Sequence, residues 1–240
     1  GTIFFSGCPL QCVFCQNEPI SHQGRGKAIT PEHLRALCFQ LIDQGAHNIN
    51  FVTPTHYTHV LLDVLREPLP VPVVWNTGGY EKLETLRALE GKVDIYLPDL
   101  KYLNADVAQR YSAAPDYPEV AAVAILEMFR QVGPVRFDEN GMLQSGMVVR
   151  HLVLPGAHKD SLRLLNWLAD NFSPEDIRLS LMSQYTPPAG IAIRELQRPI
   201  FTYEYRKACE RAEELGFLGY TQQRSSADAA YTPPFDGTGL

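Results

Sequence analysis

"FFSGCPLQCVFCQNEP", residues 4–19, sets Cys8, Cys12 and Cys15 in one short loop directly behind an apolar, β-prone run. Three thiols do not make a disulfide framework, which needs an even count, and a closed structural zinc site needs four ligands. The loop therefore either draws a fourth ligand from elsewhere, such as His22 or a distant histidine, or leaves one coordination position open. Three and then two intervening residues let three thiolates converge on one iron-sulfur cluster, with Gly7 and Pro9 shaping the turn. A strand emptying into a reactive loop also states the theme of the whole chain, and the rest of the fold follows by looking for its repetition.

The next segment, "ITPEHLRALCFQLIDQG" (residues 29–45), is predicted to be a helix with Thr30 as N-cap, Pro31 in the first turn and Gly45 past the end. Strands are then expected at 47–53, 71–77 and 93–101, with helices at 58–67, 80–91 and 118–133. Asn140-Gly141 within "VRFDENGMLQ" predicts an inserted hairpin with a type I′ turn. Strands at 146–156 and 176–183, a helix at 160–172 and a closing helix at 202–217 with Thr202 as cap complete six βα units. Cys38 and Cys209 fall within helical patterns and read as packing residues.

Near-continuous Val, Ile, Leu and Phe runs mark parallel strands covered on both faces, which right-handed crossovers wind progressively. A six-stranded partial barrel and a doubly wound open sheet both satisfy this pattern. Either one gathers functional residues just past the carboxyl ends of the strands. Those positions hold the three cysteines, Thr53-Pro54-Thr55-His56, Asn76-Thr77-Gly78-Gly79, Asp99 with Lys101, Arg150 with His151, and Ser183-Gln184-Tyr185. His56 and His151 read as ordinary hydrogen-bonded histidines. Gln184 and Tyr185 suit a substrate pocket or a structural hydrogen bond equally.

With 240 residues and an ordinary 45% hydrophobic content, the chain can build a full α/β core without a metal staple. A formal charge of -6 argues against broad nucleic-acid binding, and no apolar run reaches the roughly 20 residues needed to cross a bilayer. "GTIFF" is not a secretory signal, so a cytoplasmic location is expected, where thiols serve as metal ligands. One domain is expected over residues 1–223, followed by a C-terminal extension over 224–240 that reads as an extended cover or a frayed end.

Cys8-x-x-x-Cys12-x-x-Cys15 after a first strand, with Phe14 before the last Cys, resembles the radical S-adenosylmethionine superfamily. The resemblance implies a single-domain (β/α)6 partial TIM barrel with the hairpin as an insertion. It implies that the three Cys hold a 4Fe-4S cluster, whose open iron chelates the amino and carboxylate groups of S-adenosylmethionine, and that Phe14 lies near the adenine. Its reading as a plain core aromatic stands beside that. The segments "NINFVTPTH", "VDIYLPDLKY", "VRHLVLPG", "LSLMSQYTP" and "FDGTGL" resemble pyruvate formate-lyase activating enzyme-like proteins and a group related to them. In that branch Asn76, Thr77 and Asp99 match positions near the cosubstrate or a cation, and Arg150 matches a contact to its carboxylate. Thr53, Thr55 and Gln184 are the remaining expected cosubstrate neighbours.

This sequence departs from the pattern in two places. Thr53-Pro54-Thr55-His56 stands where Gly-Gly-Glu is frequent, and Asn76 stands where an acid is common. The chain also begins directly on its first strand, whereas members of the related group carry an additional N-terminal segment, so a fragment is expected. The implied activity is reductive cleavage of S-adenosylmethionine to methionine and a 5′-deoxyadenosyl radical that abstracts hydrogen from a substrate, such as a glycine of a partner glycyl-radical enzyme. An electron donor such as flavodoxin or ferredoxin is implied with it. The reading from another class is a noncatalytic zinc or iron-sulfur module for binding or electron transfer.

Overall fold

Val73-Val74-Trp75-Asn76-Thr77 is buried at all five positions, as a strand must be when helices cover one face of its sheet and side chains fill the other. The structure, a computed structural model, describes residues 1–221. Eight strands, β1 (Thr2–Phe4), β2 (Ile49–Val52), β3 (Val73–Thr77), β4 (Ile95–Pro98), β5 (Arg136–Phe137), β6 (Leu143–Leu152), β7 (Arg178–Met182) and β8 (Gly219–Thr221), form one sheet. The helices are α1 (Glu18–Ser21), α2 (Pro31–Asp43), α3 (Thr58–Val64), α4 (Leu83–Ala88), α5 (Ala105–Ser112), α6 (Tyr117–Val132), α7 (His158–Asn171) and α8 (Thr202–Glu214).

The spatial order β1-β2-β3-β4-β6-β7-β8 decides between the two architectures. Every neighbouring pair on this path is parallel, and the order never reverses. A doubly wound sheet needs a reversal to place helices on both faces; progressive winding without one curls the sheet into an unclosed, partial TIM barrel. All the parallel strands therefore end on the same side. Phe51, Trp75, Tyr96, Met147, Val149 and Leu181, each almost fully buried, share the face turned to the helices, where Tyr96 meets Gln131 of α6, while Val52, Val74, Ile95 and Val148 alternate with them toward the barrel interior.

Thr30 caps α2 as expected, accepting from His33 N at 3.2 Å, and Gly45 follows the helix at φ +90°. Elsewhere the structure corrects the sequence reading. There is a seventh parallel strand, β8, pairing with β7 from Leu179 to Leu181. Residues 105–112, assigned no element from sequence, form α5, capped by Asn104 accepting from the N–H groups of Asp106 and Val107. Thr202 is the first residue of α8 and not its cap: the N-cap is Phe201, whose N–H donates to the Glu204 carboxylate at 2.8 Å.

The hairpin at β5 and β6 is present, but its turn is not type I′. That turn needs positive φ at both central residues, and here Gly141 has φ +77° while Asn140 does not. The Asp138 carboxylate instead accepts from the N–H groups of Asn140 and Met142, and Asp138 N–H donates to Met142 O, closing a three-residue loop. Cys38 is buried in the core and Cys209 packs against it, as their helical placement suggests. The expected extension, residues 224–240, and its "FDGTGL" segment lie outside the described residues. Among the described residues no helix is long and apolar enough to cross a membrane.

Candidate functional site

The cysteine loop leaves β1 and is tied down on both sides by backbone hydrogen bonds. Gly7 N–H donates to Ile20 O, while Gln11 and Val13 donate to the carbonyls of Ser112 and Tyr111 at the end of α5. All three cysteines are free thiols. Each sulfur has its own polar neighbour: Leu10 N–H donates to Cys8 Sγ at 3.5 Å, Cys12 Sγ meets Ser112 Oγ at 3.0 Å, and Cys15 Sγ meets Ser21 Oγ at 3.2 Å. Burial pushes the Cys8 thiol up to about 11 and raises Cys12 as well.

Among the described residues no group of three or more His, Cys, Asp or Glu side chains gathers closely enough to hold one metal ion. A single-ion Cys₃His site using His22 is therefore not assembled. A cluster makes a different demand, because its cysteines bind separate irons and need only share one loop around it. Three free soft donors in one anchored loop past β1 fit that donor set.

The ends of β4 and β6 supply the charges. Asp99 forms a parallel bridge with Arg150, and its carboxylate lies 2.6 Å from Lys101 Nζ and 2.7 Å from an Arg150 guanidinium nitrogen. Burial alone would raise Asp99, but Arg150 and Lys101 together hold it below the usual carboxylate range. Burial alone would lower Lys101, and Asp99 holds it well above the usual lysine value. Arg150 Nε is buried without a hydrogen-bond partner among the described residues, and its contact with Asp99 Oδ1 is a charge contact without hydrogen-bond alignment. The group thus keeps one surplus positive charge and one unspent donor.

Tyr117 pegs this corner together. Its buried hydroxyl accepts from Lys101 N–H at 3.0 Å and lies within 2.9 Å of the Gly78 and Asp99 carbonyls, donating to one of them. Gly79, at φ +80°, passes so close to the Asp99 carbonyl that a Cβ there would collide with it.

At the ends of β2 and β3 a carboxyl that sequence reading missed organises the expected residues. Glu81 is buried, and its Oε1 accepts from Thr55 Oγ1 at 2.7 Å, Thr77 Oγ1 at 2.7 Å and Trp75 Nε1 at 3.1 Å. Burial raises its pKa, against the three donors. Thr53, whose N–H donates to Asn76 O at 2.8 Å, sits at φ +57°, a region that costs a β-branched residue. Asn76 is buried beside it.

The long loop after β7 closes over the cysteine loop. Gln16 Nε2 donates to the Gln184 carbonyl at 3.0 Å, and the buried Phe14 ring meets Tyr185 edge-on with centroids 6.4 Å apart. His151 is a structural histidine: burial lowers its pKa, Nδ1 donates to Leu100 O at 2.7 Å, and Nε2 accepts from Ser161 Oγ at 2.8 Å. His56 Nε2 donates to Ser6 O at 2.6 Å and so braces the approach to Cys8. The expected residues thus lie at or past strand ends on one side of the sheet, although the Thr77 hydroxyl turns to Glu81 on the face it shares with Trp75. The structure adds Glu81, Lys101, Ser112 and Tyr117, of which only Lys101 carried a signal, its place two residues after Asp99.

Comparison with known proteins agrees with this geometry. The family model described as the Radical SAM superfamily matches residues 2–168. An uncharacterized protein of Methanocaldococcus jannaschii is 28% identical over 226 residues, covering 89% of this chain and 62% of that protein. Among solved structures, Streptococcus suis SuiB superposes with a TM-score of 0.63 at 13% identity, covering 92% of this chain and 49% of that one. SuiB bound to S-adenosylmethionine gives 0.61 at 13% identity, over 92% and 50%. A radical SAM methyltransferase from Sphaerobacter thermophilus gives 0.58 at 15% identity, over 92% and 65%. At these identities the structures establish the fold, and the chain spans about half the length of SuiB.

Proposed function

Because the chain belongs to the Radical SAM superfamily, we propose that it is an enzyme binding S-adenosylmethionine beside a 4Fe-4S cluster held by Cys8, Cys12 and Cys15. The observation that carries this reading is the meeting, at one barrel mouth, of the three thiols with the Asp99, Lys101 and Arg150 charge group. When bound, the cluster and S-adenosylmethionine supply one-electron reductive cleavage to methionine and a 5′-deoxyadenosyl radical that takes hydrogen from the substrate.

The chain's own residues bind, orient and exclude water. Arg150 receives the cosubstrate carboxylate, since its unspent Nε and the surplus positive charge suit an anion. Thr53, Thr55, Asn76 and Thr77 line the side toward β2 and β3, with Glu81 fixing both Thr55 and Thr77 hydroxyls. Phe14 and Gln184 bound the adenine side, where the loop after β7 covers the cysteine loop. No protein acid or base is needed to start the reaction, so none is assigned.

The finer reading is hydrogen abstraction from a glycine of a partner glycyl-radical enzyme, with a one-electron donor such as flavodoxin or ferredoxin. Its support is the resemblance of "NINFVTPTH", "VDIYLPDLKY" and "VRHLVLPG" to the activating enzymes. The test is anaerobic: reconstitute the chain with iron and sulfide, add dithionite and S-adenosylmethionine, and quantify 5′-deoxyadenosine against Cys12→Ala. Product that disappears in the variant is expected. A verified four-iron protein that yields none, with or without candidate substrates, overturns the proposal.

A further inference from the structure

The three cluster cysteines do not have equal surroundings. Cys12 is the most buried, and its polar contact, 3.0 Å to Ser112 Oγ, is the shortest of the three. Behind Ser112 stands a second hydroxyl: Tyr102 OH lies 3.0 Å from the same Oγ, and Tyr102 is itself almost wholly buried. Ser112 is the last residue of α5, one position before Ala113 in the left-handed conformation, and its carbonyl also takes the Gln11 N–H. The end of α5 thus grips the cysteine loop through its backbone and reaches the middle sulfur through its side chain.

Resting on the functional reading above, we propose that the Tyr102–Ser112 hydroxyl relay sets the reduction potential of the cluster by donating to Cys12 Sγ. The direction of the relay follows from chemistry. A cysteine ligating iron is a thiolate with no proton, so Ser112 must be the donor. Having given its only proton to sulfur, Ser112 Oγ accepts from Tyr102 O–H, and the two bonds polarise one another in a dry environment. One-electron reduction makes the cluster and its thiolates one unit more negative, and donors to the sulfurs favour that state. The relay therefore raises the potential and eases electron entry. Ser21 on Cys15 and Leu10 N–H on Cys8 act in the same sense over longer contacts and, among the described residues, without a second hydroxyl behind them.

The test is an anaerobic redox titration of the reconstituted full chain without S-adenosylmethionine, reading the reduced cluster by its paramagnetic signal. Wild type, Ser112→Ala, Ser112→Thr and Tyr102→Phe are compared at matched iron and sulfide content. Ser112→Ala is expected to lower the reduction equilibrium about tenfold, ~59 mV for one electron. Tyr102→Phe should shift it less in the same direction, and Ser112→Thr should restore it. Loaded variants at the wild-type potential, or shifted to more positive values, overturn the relay. If Ser112→Ala does not hold its cluster, Tyr102→Phe decides, because it leaves the Ser112 contact in place. A wild-type chain that takes up no cluster overturns the functional reading beneath the relay, a result distinct from unshifted potentials.

Discussion

Glu81 offers a sharp physical test of the site's construction. Its Oε1 is the acceptor for three donors from β3 and the loop after β2, while Oε2 is buried without a hydrogen-bond partner among the described residues. Glu81→Gln keeps a carbonyl for the three donors and stays neutral at every pH. Burial is the largest influence on the Glu81 carboxyl and raises it above 4.5; the three hydrogen bonds and nearby His56 oppose the shift. Above 4.5 the unfolded chain releases a proton that the folded chain retains, so the unfolded state binds fewer protons there. Stability from this group is accordingly full below the unfolded value and is lost as pH rises toward the folded one. One proton sets the ceiling, about 1.4 kcal/mol per pH unit. Urea unfolding followed by tryptophan fluorescence, run between about pH 5 and pH 7 in wild type and Glu81→Gln, should show wild type losing stability relative to the variant as pH rises. His56→Gln in both backgrounds removes this neighbour as a source of the difference. A difference that stays flat with pH refutes the assignment of a raised, buried carboxyl. Glu81→Ala should cost about 3 kcal/mol near pH 5, because it strands a buried indole N–H and two hydroxyls, and less as pH rises.

Three further substitutions follow from the geometry. Thr53 at φ +57° pays for a β-branched side chain in the left-handed region, so Thr53→Asn should raise stability by about 1 kcal/mol in urea unfolding. Ala113 ends α5 at φ +54°, and Ala113→Gly should stabilise by roughly 0.5–1 kcal/mol, read as a higher denaturation midpoint at unchanged slope. Asp99→Ala leaves the Lys101 and Arg150 cations facing each other without their shared carboxylate; it should cost ~3 kcal/mol in the same assay, whereas Asp99→Asn should cost less.

How much of the fold was legible depended on element length. Long amphipathic or continuous apolar runs, such as those of α2, α6 and β3, identify themselves because burial imposes a period on them. Helix α5 spans eight residues and about two turns, too few for a period to stand out, although Asn104 before Asp106 was a local cap signal. Strand β8 is three residues long and exists through its pairing with β7, a relation no local pattern carries. At the hairpin, Asn-Gly favours a type I′ turn only when nothing else engages the backbone. The Asp138 carboxylate, taking two N–H groups, imposed the three-residue loop. Barrel and open sheet were separable only by strand order, which is a long-range property.

The site was legible to the extent that topology puts residues together without any knowledge of partners. Parallel strands wound in one sense all end at one mouth, so polar residues at or just past strand ends are brought there: Asn76 and Arg150 from the last few residues of β3 and β6, and Asp99 just past β4. Which of them bond is set by strand adjacency and by side chains arriving from outside the strand ends. Glu81 lies four residues beyond Thr77, and Ser112 lies 100 residues from Cys12. Both face inward because the alternative is an orphaned buried donor, a cost larger than any local preference. The same logic explains the charges. Asp99 takes one hydrogen bond from Lys101 and a charge contact from Arg150, whereas Arg150 keeps Nε unused, so the mouth presents a donor and a surplus positive charge beside three thiols. A half-buried guanidinium whose Nε is buried and unused is stabilised by an anion that brings its own carboxylate, a demand that an uncharged ligand does not meet.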